Sequence, residues 1–141
     1  EAEAEAEVEA DPNARTESEP PMSGGEQILV IDDDELVRRS LRRYLEHYGY
    51  RVLMAENGEE GVTLFAERQP KIDLIILDLS MPKMSGVEVL AAIRELDAGV
   101  KVIVATGFAS EQASLPSADH VLQKPFEPGE MISVIRLALD G

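Results

Sequence analysis

Asp32-Asp33, Asp78, Thr106 and Lys124-Pro125 each follow, or end, an apolar run in this 141-residue chain. If those runs are parallel strands lying side by side, three carboxylates, a hydroxyl and an ammonium meet at one edge of one sheet. Like charges held in one cleft raise each other's pKa unless a cation neutralises them. Mg2+ suits such a set, because it takes oxygen ligands and few of them from protein, keeping waters and phosphate oxygens for the rest. A carboxylate such as Asp78 can attack a phosphoryl group and become an aspartyl phosphate. The charge spread over the three equatorial oxygens then needs stabilising. The metal covers one, Lys124 a second, and the Thr106 hydroxyl can donate to the third.

The elements that must position these groups are legible as an alternation. Residues 28–31, Ile-Leu-Val-Ile, form a short continuous β-branched run of the kind buried on both faces of a sheet. Leu36, Val37, Leu41, Tyr44, Leu45 and Tyr48 then recur at helical spacing, and Gly49 follows as a C-terminal cap. Residues 51–55 predict a second strand. Asn57 and Glu60 have the spacing of a capping box and open a helix carrying Val62, Leu64 and Phe65. Residues 74–77 are the most hydrophobic strand. Ser85 and Glu88 repeat the capping-box spacing ahead of Leu90, Ile93 and Leu96. Residues 102–105 give a fourth strand and residues 120–123 a weak fifth. Pro128 suits the first position of a last helix, with Met131, Val134, Ile135 and Ala138 on one face. Alternating strands and helices imply right-handed crossovers and a parallel sheet covered on both sides. Ligands bind such sheets at the carboxyl ends of the strands, which is where the four pieces fall.

Composition narrows the classes. Hydrophobic residues make up 44% and charged residues 29%, ordinary for one soluble globular domain. The absence of Cys excludes a disulfide scaffold, a thiolate zinc site and a Cys nucleophile. It fits a reducing, cytoplasmic setting. No apolar stretch is long enough to span a membrane, and no signal peptide is visible. The net charge of −15 is unevenly spread. Residues 1–21 hold eight acids and one base, a charge of −7; the other 120 residues hold 20 acids and 12 bases, a charge of −8. A mildly acidic body argues against nucleic-acid binding through a basic face. Residues 1–25, with their Glu-Ala alternation and scarce aliphatics, are expected to be an acidic disordered linker or tail. The domain proper is expected to cover residues 26–141.

From about Gln27 to Leu139 the chain resembles the receiver domain of two-component response regulators, the chemotaxis-receiver-like family. Ile28-Leu29-Val30-Ile31-Asp32-Asp33 resembles its first strand and acidic pair. The segment Leu77-Asp78-Leu79-Ser80-Met81-Pro82-Lys83-Met84-Ser85-Gly86 resembles its phosphoacceptor loop. Ala105-Thr106-Gly107 and Lys124-Pro125-Phe126 resemble its switch-hydroxyl segment and its lysine turn. The resemblance implies a five-stranded, doubly wound (βα)5 fold of flavodoxin-like order 2-1-3-4-5. It implies Asp78 as phosphoacceptor assisted by Thr106 and Lys124. It also implies a Mg2+ held by Asp33, Asp78 and the Ser80 backbone carbonyl with Asp32 nearby, and a cis bond between Lys124 and Pro125. Its implied partner is a histidine kinase or phosphotransfer domain, and such a domain is a signalling module rather than an enzyme. The acidic linker ahead of the domain, and the end of the chain soon after the last helix, are arranged as in the C-terminal receiver of a hybrid sensor kinase, the kinase then lying upstream in the same chain. A stand-alone receiver is the alternative.

The chain departs from the family in two places. Val121 stands where the family usually has an aromatic, three residues before the lysine. Only 17 residues separate Thr106 from Lys124, and residues 107–116 have little helical periodicity before Pro116. A fourth helix that is short, irregular or absent is expected, with an output that does not use the usual Thr–aromatic face. Phe108 flanks the site and could hinder an attacking water. Arg38, Arg39, Arg42 and Arg43 form a basic face on the first helix, read as a solvated face or as a docking surface for a phosphodonor helix. His47 and His120 are expected at the surface. Ile132 and Leu137 widen the last helix's apolar stripe, for burial or for a weak dimer.

The residues bear on three classes of function. A phospho-accepting switch needs Asp33, Asp78, Thr106 and Lys124, and all are present. A non-phosphorylated interaction module on the same fold usually loses the acceptor or the lysine. A nucleotide or flavin enzyme would need a Gly-rich or Ser/Thr-rich phosphate loop after the first strand, where Asp32-Asp33-Asp34-Glu35 stands instead.

Overall fold

A computed structural model describes residues 25–68, 71–79, 81, 85–107, 118–124 and 126–140. Its order is β1 (Gln27–Ile31), α1 (Glu35–His47), β2 (Arg51–Ala55), α2 (Gly58–Arg68), β3 (Leu74–Asp78), α3 (Gly86–Leu96), β4 (Lys101–Thr106), β5 (His120–Gln123) and α4 (Pro128–Asp140). The five strands form one sheet in the order β2-β1-β3-β4-β5, and every neighbouring pair is parallel. This is the doubly wound flavodoxin-like order that the resemblance implies.

Successive strand residues face opposite sides of a sheet, so a continuous apolar run needs cover on both. Leu29, Ile31, Ile75, Leu77, Val102 and Val104 pack with Phe65 of α2 and with Val89, Leu90 and Ile93 of α3. Ile28, Val30, Leu74, Ile76 and Ile103 pack on the other side with Leu45 of α1 and with Met131, Ile132, Ile135 and Ala138 of α4. Ile28 through Ile31 are fully buried in succession. That run explains why β1 sits in the sheet's interior and why the acidic residues after it emerge at a fixed place.

Local signals set the helix ends. Asp34 is the N-cap of α1, its side chain accepting from the N–H groups of Leu36 and Val37. Gly49 turns the chain out of α1 at a φ of 92°, a conformation glycine adopts without strain. Ser85 and Glu88 form a complete capping box on α3. At α2 the pattern is shifted: Asn57 accepts from the N–H of Glu60, but the Glu60 carboxylate reaches the N–H of Glu56 rather than that of Asn57. Pro128 is the first residue of α4, as its fixed φ favours.

Three apolar residues do not follow the expected stripes. Leu36 is 72% exposed, because the first turn of α1 stands beside the strand ends rather than over the sheet. Leu96 is partly exposed at the last position of α3. Leu137 is 63% exposed, two residues from buried Ile135 and so turned from its face, whereas Ile132 is buried. His47 is exposed at the end of α1 and His120 is half-buried. The expectations for the tail up to residue 24, for the crossover between β4 and β5 beyond Gly107, for Phe108 and Pro116, and for the cis bond at Pro125 fall outside the described residues.

Replacing the cap by Ser85→Ala should cost about 1 kcal/mol. Urea denaturation of the two proteins checks this, with an unchanged slope and a lower midpoint expected.

Candidate functional site

The site is built from what each strand does at its C-terminal end. β1 passes into Asp32, whose N–H donates to the Ala55 carbonyl of β2 at 3.2 Å. The Asp32 carboxylate accepts the N–H of Asp34 at 2.9 Å, and its backbone carbonyl accepts a hydrogen bond from the Arg38 guanidinium at 2.7 Å. The acidic turn is therefore held from both ends before α1 begins. β3 ends on Asp78, paired with Ala105 of β4, and the N–H of Leu79 donates to the Ala105 carbonyl at 3.1 Å. β4 ends on fully buried Thr106. Past β5, the Lys124 N–H donates to the Thr106 carbonyl at 2.8 Å. That bond delivers the lysine to the same edge.

The side chains converge. Lys124 Nζ lies 3.3 Å from Asp78 Oδ1 and 3.8 Å from Asp32 Oδ2. Asp32, Asp33 and Asp78 can each offer one carboxylate oxygen such that all three lie within 4.8 Å of one another. Asp32 and Asp78 are 4% exposed, while Asp33 stands open to solvent. Among the described residues, the Lys124 ammonium faces Asp78 and Asp32, with Asp33 clustered beside them, so three carboxylates share this cleft with one ammonium. Burial pushes the Asp32 carboxyl above its ordinary range. The neighbouring charges of Asp78 and Asp33 push the same way, against the Asp34 hydrogen bond and Lys124. An all-oxygen donor set of three clustered carboxylates fits a hard divalent cation, with Asp33 on the solvent side.

Every sequence-derived site residue within the described part is brought to this edge: Asp32, Asp33, Asp78, Thr106 and Lys124. Ser80 lies outside the described residues. Sequence reasoning put Arg38 on a basic outer face of the first helix and gave Gly86 no role of its own. Arg38 is instead half-buried against the Asp32 carbonyl. A Cβ on Gly86 would run into the Leu79 side chain and come within 2.7 Å of the Leu79 Cα, so glycine lets α3 close against the residue next to Asp78. The Ser85-Gly86 pair at the start of a capped helix was the available signal. For Arg38 there was none, since six residues of separation suggest no contact with Asp32.

A family model for the response regulator receiver domain matches residues 28–136. The chain belongs to the response regulator receiver family. Among curated relatives, the response regulator MprA of Mycobacterium sp. (strain KMS) is 40% identical over 117 residues, 80% of this chain and 50% of that one. The chain spans about half the length of the curated relatives it matches. A response regulator receiver domain protein of Clostridium thermocellum superposes with a TM-score of 0.77 at 32% identity, covering 82% of this chain and 94% of that one. The response regulator TrrA of Thermotoga maritima, solved in complex with Mg2+-BeF, gives a TM-score of 0.76 at 34% identity, covering 81% and 99%. Receiver domains are signalling domains of two-component systems. In this receiver, among the described residues, no helix is long and apolar enough to cross a membrane.

The raised Asp32 pKa fixes the sign of a pH effect. The folded state holds the Asp32 proton more tightly than the unfolded chain does, so stability falls as pH rises from 3.8 through the folded value. Without divalent cation, Asp32→Asn should be more stable than the parent at neutral pH, the gap closing as pH is lowered toward 3.8. Urea denaturation in EDTA across that range measures it.

Proposed function

We propose that this receiver is a phospho-accepting switch, taking a phosphoryl group from a histidine kinase or phosphotransfer domain onto Asp78. The observation that carries the reading is the Lys124 ammonium 3.3 Å from an Asp78 oxygen, in the same cleft as Asp32 and Asp33. The residues that would hold Mg2+ are Asp32, Asp33 and Asp78, with the Ser80 carbonyl implied by the family resemblance. The Mg2+-BeF complex of TrrA supports the same cation here. When bound, the ion neutralises carboxylate and phosphoryl oxygens together.

The protein's own groups carry the rest. An Asp78 carboxylate oxygen attacks phosphorus; the O–P bond forms as the bond to the donor nitrogen or oxygen breaks, and that electron pair leaves with the donor. Pairing with Ala105 of β4, and the Leu79 N–H bond to the Ala105 carbonyl, fix Asp78 for this attack. Lys124, already paired with Asp78, meets the negative charge the phosphoryl group brings and keeps a partner throughout. Thr106, at the adjacent strand end, supplies a hydroxyl for another phosphoryl oxygen. Burial of Asp78 limits water around the product. Valine at position 121 has no ring to swing, which supports an output that does not run through a Thr–aromatic exchange.

The donor would approach along α1. A largely apolar groove of about 630 Å³ is lined by Leu36, Val37, Leu41, Tyr44 and Phe126, and it ends at Lys124. Arg39, Arg42 and Arg43 stand exposed on the same helix. An amphipathic donor helix with acidic flanks fits that combination, and exposed Leu36 is explained by it. A cytoplasmic setting is part of the same proposal.

Intact-mass measurement after incubation with acetyl phosphate and Mg2+ tests the proposal. A gain of one phosphoryl group is expected, lost in Asp78→Asn and in EDTA. No gain from either acetyl phosphate or a phosphorylated kinase would favour a non-phosphorylated interaction module instead.

A further inference from the structure

Arg94 and Asp119 are not accounted for by the acceptor chemistry, yet between them they tie together three segments. The Asp119 carboxylate accepts from the Arg94 guanidinium at 2.9 Å and from the Val102 N–H at 2.8 Å. The Asp119 N–H returns a hydrogen bond to the Val102 carbonyl at 2.9 Å. The other arm of Arg94 donates to the carbonyls of Ala98 and Val100. The end of α3, the turn into β4 and the residue before β5 therefore share one ion pair. An exposed pair is worth little. This one is three-quarters shielded on average, and its hydrogen bonds to backbone are charge-assisted.

β5 needs such a tie. It has four residues, and it is an edge strand, next to β4 alone. Lys124 follows directly. Because side chains alternate, a slip of one residue would turn the Lys124 side chain to the opposite face. The only ladder bond fixing Lys124 itself, among the described residues, is its N–H to the Thr106 carbonyl. Asp119 acts one step before His120, which pairs with Ile103, and it grips Val102 through its own N–H and its side-chain carboxylate.

We propose that Arg94 and Asp119 are positioning residues for Lys124: their ion pair sets the register of β5 and so the 3.3 Å approach of the ammonium to Asp78. The kinetic part of this rests on the phosphoacceptor reading; the register part does not.

Arg94→Ala and Asp119→Asn, each alone and combined with Lys124→Met, separate positioning from general support. The rate of Asp78 phosphorylation by acetyl phosphate at saturating Mg2+ is read beside hydrogen exchange of the Lys124 amide, with the Val30 amide as the reference for global opening. Each single variant should slow phosphorylation about ten- to a hundredfold, the cost of a misplaced group. Each should also speed exchange at Lys124 beyond any change at Val30. In the Lys124→Met background neither should slow the reaction further, and Arg94→Lys should recover part of the rate. Rates within about twofold of the parent, or an equal loss with and without Lys124, would overturn the proposal. If the parent chain takes up no phosphoryl group, the phosphoacceptor reading fails. The amide exchange alone then decides the register claim, and unaltered protection at Lys124 refutes it.

Discussion

Mutual repulsion among Asp32, Asp33 and Asp78 is the constraint around which the domain is arranged. Their oxygens can lie within 4.8 Å of one another at the end of a wholly apolar sheet interior. Two of the three carboxylates are nearly buried, and burial and the neighbouring acids together lift the Asp32 pKa. A cluster of this kind is unfavourable alone. It persists because the strands beneath it are locked by burial on both faces, and each acid or its neighbour is tied to the backbone. The same repulsion is what a bound divalent cation would relieve, beside the Lys124 ammonium that already offsets part of it.

The positions of the acids follow from how strands end. In a parallel sheet all carboxyl ends lie on one side, so residues 46 apart, such as Asp78 and Lys124, meet without local sequence between them. The order β2-β1-β3-β4-β5 puts β1 and β3 side by side, which brings Asp32 beside Asp78. β4 then carries Thr106, and β5 carries the lysine. Each residue needs only its own strand in register, and register is strongest where both faces are buried. β5 is the weakest link by that criterion, being short and at the edge.

Much of this was legible in the chain itself. The five apolar runs, the Ser85–Glu88 box, Gly49 and Pro128 are local patterns, and the structure places them as expected. Asp32, Asp33, Asp78 and Thr106 were legible because each terminates or follows a strand whose hydrophobicity stands out; Lys124 follows the weak β5 and was legible through the Lys124-Pro125-Phe126 turn. Leu36 is exposed although it falls on the helical stripe, because helical spacing identifies a face but not how far along the helix a covering sheet extends; of the two readings open for Leu137, its exposure removes burial. The bond from Arg38 to the Asp32 carbonyl and the tie between Arg94 and Asp119 were not legible. Such pairings depend on turn geometry and on tertiary approach, and neither leaves a periodic trace. Gly86 lies between: its place at the start of a capped helix was visible, its contact with Leu79 was not.

The central claim is that the strand ends make one cation site around Asp78. Titration with Mn2+, followed by paramagnetic broadening of backbone amides, tests it most directly. The account predicts early, selective loss of the signals of Asp32, Asp33, Asp78, Leu79, Thr106 and Lys124, reversed by excess Mg2+. Uniform weak broadening, or loss centred on the acidic first turn of α2 at Glu59 and Glu60, would contradict it.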